Sequence, residues 1–467
     1  MKNLLRNFSY TFISNSVSIL ISTILIVIVP RFISIESYGY WQLYIFFNSY
    51  ISYMSLGLTD GAYLRYGGYK YDKLPKKLFI SQFWFLVLFD IICDFTIAYM
   101  YAFSNNNSDK ISVVFFTCFS GILVVPRSLL TFILQATNRI KEYAVVTLLE
   151  RVFYFSLVII FLLIGITDFD FLILADILGK IVSTLYAILV CKDIVFGKID
   201  YLKNTLREIK LNISAGSKLL FANFASMFIV GVVRYFVEKN WSVRTFGKIS
   251  LTLSISNMLI MFINALGIVL FPVLRRTSYD NLPDIYKKIR SIITVPLVGI
   301  LVIYYPVKEI LLLWLPQYSD SIIYMAILFP MSLFESKMQL LINTYLKTLR
   351  KENLLLKINL ITALLSVLLS FLSVFILNNL NLTVISILAI LAIRYIISET
   401  IVSKILKINF KKDLTIEVGI SIIFILCSWF LSTYLAFIIY IIIYMLYLLL
   451  KKKEVILIFN IVKDIKF

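Results

Sequence analysis

The stretch Tyr10-Thr-Phe-Ile-Ser-Asn-Ser-Val-Ser-Ile-Leu-Ile-Ser-Thr-Ile-Leu-Ile-Val-Ile-Val29, closed by Pro30-Arg31, decides what kind of protein this is. It carries no charge over the roughly 20 residues that an α-helix needs to cross hydrocarbon. Similar runs follow at 41–58, 78–102, 111–134, 143–166 and 171–190, and, after a polar stretch, at 219–237 and 249–270. Six more lie at 291–313, 321–343, 354–377, 382–403, 414–431 and 436–450. The runs are continuously apolar. A barrel strand would alternate over about ten residues, so the pattern predicts an all-α polytopic membrane protein with about 14 transmembrane helices. Lys2 and Arg6 ahead of the first run look like the start of a signal peptide. No small-x-small cleavage site precedes Pro30, so an uncleaved first helix is expected.

Composition agrees. Of 467 residues, 60% are hydrophobic and 15% charged, against about 45–50% and about 25% in soluble domains. Water does not wet a surface that apolar, which excludes an ordinary soluble protein. The chain has no histidine, which removes histidine bases, triads and metal ligands. Cys93, Cys118, Cys191 and Cys427 form no C-x-x-C pair, and three lie in apolar runs. They read as small buried hydrophobes rather than as disulfides or a zinc site. The formal net charge of +19 suggests basic loops beside a membrane, not nucleic acid.

Loop charge sets the orientation. With the N-terminus inside, 33 of the 45 basic residues fall on inner segments, 6 on outer ones and 6 within spans. That bias predicts cytoplasmic N- and C-termini. Outer loops reach only about a dozen residues, too short for a folded external domain. The expected organisation is an N-lobe over 1–190 (spans 1–6), a cytoplasmic amphipathic linker over 191–218, and a C-lobe over 219–404 (spans 7–12). Spans 13 and 14 with a basic tail fill 405–467 as an appended pair. The linker places Ile199, Leu202, Leu206 and Ile209 beside Lys203, Arg207 and Lys210, the pattern of an interfacial helix.

A weak repeat relates the halves. Leu56-Gly57-Leu58 with Leu64-Arg65 matches Leu266-Gly267-Ile268 with Leu274-Arg275, and Thr137-Asn138-Arg139-Ile140-Lys141-Glu142 matches Thr348-Leu349-Arg350-Lys351-Glu352. Tyr38-Gly39 and Phe246-Gly247 correspond at the first turn of each half. Six helices return the chain to the same side, so the halves are parallel repeats, a transporter architecture.

Ionisable groups inside spans are costly and mark a pathway or a pair. The cations are Arg127, Lys180, Arg234, Lys337 and Arg394, with Arg151 near a span end; the acids are Asp90, Asp94, Glu150, Asp176, Glu335 and Glu399. Asp176 and Lys180, four apart, share a helix face; Glu335 and Lys337, two apart, do not. The favoured reading places Arg127, Lys180, Arg234, Lys337 and Arg394 around a water-filled cavity for an anionic, phosphate-bearing cargo. The alternatives are intrahelical ion pairing for Asp176–Lys180 and snorkelling for Arg151, Arg234 and Glu399. Without histidine, coupling to H+ or Na+ falls to Asp90, Asp94 and Asp176. No other cofactor is expected.

These residues resemble a known family. Val29-Pro-Arg-Phe-Ile-Ser-Ile-Glu-Ser-Tyr-Gly-Tyr-Trp41, Ser55-Leu-Gly-Leu58 and Leu64-Arg-Tyr66 are similar to the start of the bacterial polysaccharide transporter family. That family of O-antigen and lipid-linked oligosaccharide flippases belongs to the multidrug/oligosaccharidyl-lipid/polysaccharide exporter superfamily. Asn223-Phe-Ala-Ser226, Val233-Arg-Tyr-Phe236 and Phe271-Pro-Val-Leu-Arg-Arg276 look like its second-half landmarks, and the likeness covers about residues 1–410. Val233 departs from the pattern, standing where the family often has an acid before Arg234. The resemblance implies two six-helix lobes in a V, a cationic lumen and ion-driven alternating access. It implies as cargo undecaprenyl pyrophosphate bearing a short glycan, for O-antigen (lipopolysaccharide) or capsule biosynthesis, moved to the outer leaflet of a bacterial inner membrane. It further implies membrane lipids and glycan polymerase machinery as partners. The competing readings are a multidrug/cation antiporter of the same superfamily, for which the basic in-span set is a poor match, and an enzyme, a membrane glycan polymerase, which needs a larger outer loop.

Overall fold

The computed structural model describes the backbone of residues 2–276 and 279–456, and the side chains of 9–258, 260 and 280–456. Regular structure among the described residues is helical throughout. The fourteen apolar runs all fall on helices: α1 (Lys2–Phe32), α2 (Ile35–Ile51), α3 (Lys76–Ser104), α4 (Ser108–Ala136), α5 (Ile140–Ile164), α6 (Phe169–Val190), α7 (Leu202–Asn240) and α8 (Val243–Arg276). After these come α9 (Leu282–Trp314), α10 (Met325–Thr348), α11 (Glu352–Ile376), α12 (Leu380–Ile405), α13 (Lys411–Phe430) and α14 (Thr433–Leu450). Among the described residues, twelve of them are long and apolar enough to cross a membrane. α2 has 17 residues, and α8 lies partly outside the described side chains.

Helix ends follow local chemistry. The Ser34 hydroxyl accepts from Ser37 N to start α2, and Asn107 Oδ1 accepts from Lys110 N to start α4. Asn379 does the same for α12. Each side chain satisfies an amide that the helix itself leaves open. The run at 41–58 is not one helix. α2 ends at Ile51, a tight turn follows over Ser52–Ser55, and Leu56 and Gly57 take positive φ before a short helix, Leu58–Tyr66. α10 is irregular as well: it breaks at Pro330, then passes through a π-helical turn over Met338–Asn343.

The chain forms two compact units, 1–224 with 243–247, and 225–242 with the residues from 248 onward. In the first unit a core of Phe79, Phe83, Leu129, Leu130 and Leu134 holds α3 and α4 together. Phe95, Phe103, Leu163 and Leu189 stay exposed, the outward-facing apolar surface that suits hydrocarbon.

Residues 202–218 do not form a separate linker helix. They are the first turns of α7, continuous for 39 residues. A lone Gly216 costs a helix only about 1 kcal/mol, too little to break it. This segment packs on the Leu58–Tyr66 helix at very short range. A Cβ on Gly61 would sit 1.8 Å from the Asn212 carbonyl oxygen, and one on Gly216 would sit 2.1 Å from that of Gly57. Small residues permit this backbone approach. Arg65 then donates to Glu208 (2.7 Å) and to Asn212 (2.6 Å), and Asn212 donates to Gln82 (2.7 Å). Of the apolar residues that the sequence places on the linker, Ile199, Leu202 and Leu206 are exposed and Ile209 is buried.

The repeat landmarks at the first turns also meet: a Cβ on Gly247 would lie 2.7 Å from the Gly39 Cα. Leu266-Gly267-Ile268, Leu274-Arg275 and Phe271-Pro-Val-Leu-Arg-Arg276 lie outside the described side chains, as do Lys2 and Arg6. Most of the basic tail, from residue 457, lies outside the described residues altogether.

Candidate functional site

Three assemblies of in-span charges are described within the first unit. On α4, Arg127 Nη2 meets Glu150 Oε2 of α5 at 2.8 Å while Nη1 donates to Ser183 Oγ of α6 at 2.8 Å. On α6, Lys180 Nζ lies 2.6 Å from Asp176 Oδ2, one turn back as the spacing predicts. Lys180 also donates to Tyr44 OH (3.1 Å) and Ser120 Oγ (2.8 Å); Tyr44 OH donates to Asp176 Oδ2 (2.6 Å) and Ser120 to Asn48 Oδ1 (2.9 Å). Lys180 is thus neutralised and well saturated with partners.

The third assembly is different. Asp90 and Asp94 face α4 from α3 and are buried, 0% and 3% exposed. Neither forms an ion pair among the described residues, and both oxygens of Asp90 and Oδ2 of Asp94 lack a hydrogen-bond partner. Gly121 of α4 makes the room: a Cβ there would sit 2.4 Å from Asp94 Oδ2. The like-charge pair read from the sequence therefore has no cation between its members.

The second unit holds its charges in a closed network. Arg290 of α9 donates through Nε to Glu399 Oε1 of α12 (2.7 Å) and through Nη2 to Glu417 Oε1 of α13 (2.9 Å). Lys337 Nζ of α10 takes the other oxygen of Glu417 at 2.6 Å, and Lys451 ties Asp413 to the end of α14 at 2.8 Å. The helix pair α13–α14, last in the sequence, is thereby joined to α9, α10 and α12. Arg394 of α12 is 1% exposed. It binds Glu335 Oε2 (3.3 Å), Asn359 Oδ1 (3.1 Å) and Ser226 Oγ (2.8 Å). Arg234, half-buried on α7, donates to Ser250 Oγ at 2.9 Å.

Arg127, Lys180, Lys337 and Arg394 of the expected cavity set each have a carboxylate partner in their own unit. Asp176 is likewise committed, whereas Asp90 and Asp94 are not. The sequence reading missed three groups. Arg290 lies at a span edge, where a basic residue reads as a loop charge; Glu417 is an acid inside an apolar run; Tyr44 gives no signal beyond its aromatic ring.

No family model matches the chain, and no curated protein does. Solved structures do. The chain is similar to an inward-facing multidrug-resistance MATE family transporter of the MOP superfamily, over 84% of this chain and 99% of that one (TM-score 0.64, 11% identity). It is similar to the lipid II flippase MurJ in an inward closed conformation, over 96% of this chain and 99% of that one (TM-score 0.64, 15% identity). A MOP superfamily transporter from Pyrococcus furiosus, described by the reverse polarity of its binding pocket, matches over 86% and 96% (TM-score 0.54, 12% identity). At these identities the likeness is one of fold: the chain is a polytopic membrane protein with the fold of MOP superfamily transporters.

Proposed function

We propose that this protein is a flippase that carries a lipid-linked oligosaccharide, of the undecaprenyl pyrophosphate type, from the inner to the outer leaflet of a bacterial inner membrane. The observation that carries the reading is the place of α13 and α14. The likeness to the lipid II flippase takes in 96% of this chain, which leaves too little outside it to omit that pair. The MATE structures match over 84–87%. The pair is ion-paired into the second unit through Glu417.

In this reading Lys337, Arg394, Lys180 and Arg127 hold helices together. Arg234, half-buried with a forked guanidinium, is the preferred partner for the pyrophosphate. Asp90 and Asp94 serve ion coupling. Two buried carboxylates without a cation are stable only when a proton or a metal cation joins them, so the pair changes its charge state with the cycle.

Reconstitution tests this. Vesicles containing the protein and a fluorescent undecaprenyl-pyrophosphate oligosaccharide are treated with an impermeant quencher. Flipping well above that of protein-free vesicles, driven by an ion gradient, is the expected result. Exchange of a cationic dye with no flipping would favour the antiporter instead. Asp90→Asn and Asp94→Asn are expected to remove the dependence on the gradient.

A further inference from the structure

From Met325 to Leu346, α10 is buried except at Glu335, Gln339 and Asn343. These three are polar, follow one another every fourth residue, and are hydrogen-bonded head to tail. Gln339 Nε2 donates to Glu335 Oε1 at 2.7 Å, and Asn343 Nδ2 donates to Gln339 Oε1 at 3.1 Å. Behind them Arg394 fixes the other oxygen of Glu335 at 3.3 Å. A carboxylate and two carboxamides do not face hydrocarbon, so this narrow opening along an otherwise closed helix faces water.

The chemistry of the row restricts what it binds. The charge of Glu335 is balanced by Arg394, so a cationic drug finds no free anion there. A phosphate would meet the Glu335 carboxylate. What remains on offer is a line of planar groups that both donate and accept, about 12 Å long at the helical rise. Asn343 Oδ1 is buried and has no partner, an acceptor set for a donor that the protein does not supply. Uncharged polyhydroxyl compounds present that pattern of donors and acceptors, and the length suits several linked sugar rings rather than one.

We propose that Glu335, Gln339 and Asn343 form the glycan-recognition row of the protein. Gln339 and Asn343 hydrogen-bond sugar hydroxyls, and Arg394 positions Glu335. The inference rests on the flippase reading and supplies its sugar-reading surface.

The test compares two cargoes in the reconstituted full-length protein: undecaprenyl pyrophosphate carrying a neutral oligosaccharide, and the same lipid carrying one sugar. For Gln339→Ala/Asn343→Ala, flipping of the oligosaccharide cargo is expected to fall about tenfold or more, as loss of one or two good hydrogen bonds implies. The one-sugar cargo should be affected less than about twofold. Thermal melting in detergent checks the fold. If the double variant fails to fold, Asn343→Leu, which keeps the bulk but removes the unpartnered Oδ1 acceptor, is expected to show the same selective loss. Equal flipping of both cargoes by wild type and variant overturns the row. So does an equal loss for both cargoes in a variant that melts normally. No flipping by the wild type would instead strike at the flippase reading itself, so the two failures are distinguishable.

Discussion

The two units contrast in one respect: the second closes its buried charges into a network, while the first, beside two ion pairs of its own, also buries two acids that no described cation pairs. In the second, Arg290, Lys337, Glu399 and Glu417 close a network that ties four helices together. In the first, Asp90 and Asp94 lie equally deep with no cation among the described residues. A buried charge with its partner is part of the framework; a buried charge without one is tolerated only where something else supplies the compensation. The contrast separates groups that hold the protein from groups available to work on it, and substitutions test that division.

The largest effect is expected at Arg290. Arg290→Met leaves Glu399 without its cation and Glu417 with Lys337 alone, a loss of about 3–5 kcal/mol. A large drop in melting temperature, or failure to accumulate folded protein, should report it. Next comes Lys180→Met, which strands Asp176 and should cost about as much. The double variant Asp176→Asn/Lys180→Met should recover most of that loss and retain flipping. A stable double variant that no longer flips would move this pair from framework to function.

Asp90→Asn and Asp94→Asn sharpen the comparison from the other side. Removing a carboxylate that no cation of the protein pairs should leave stability unchanged or raised by about 1 kcal/mol while coupling is lost. If either variant melts far below wild type, the two units do not differ as described. Gly121→Ala should cost about 1–3 kcal/mol by overpacking, because its Cβ meets Asp94 Oδ2. Combining it with Asp94→Ala should relieve most of that.

The smallest effect lies outside the spans. Burial raises the Asp193 carboxyl, but hydrogen bonds from Lys76 and Tyr71 outweigh it and hold the group below the usual carboxylate range. Its folded-state value is therefore lower than its unfolded one. Its contribution is fully present above pH of about 4 and fades as pH falls through the lowered value. The group is partly exposed, so Asp193→Asn should cost less than about 1 kcal/mol near neutral pH. The difference in melting from wild type should vanish in acid.

The helices were legible because crossing hydrocarbon demands a long apolar run, and that run is a one-dimensional signal. Asp176–Lys180 was legible for the same reason: the pair sits on one helix at a fixed spacing. The separation of Glu335 from Lys337 was legible too, and the two side chains do turn to different partners, Arg394 and Glu417. Partnerships across helices were not legible, since a separation of 127 positions between Arg290 and Glu417 leaves no local trace. Nor was the continuity of α7 through 202–218, where polar residues suggested a surface segment but nothing in them stops a helix. The glycan row escaped because Gln339 and Asn343 are uncharged; their importance comes from being open where their neighbours are closed.

The π-helical turn at Met338–Asn343 has a consequence for chain length. Such a turn holds one residue more than the α-helix around it would need. Deleting a single residue there would let α10 rewind as a regular helix with both ends still anchored. The cost would fall on register: a shift of one residue turns a side chain by about 100°. Gln339 and Asn343 sit within this turn. The protein is therefore expected to survive such a deletion as a folded chain while losing the alignment of the row, which makes the extra residue a setting of specificity rather than of stability.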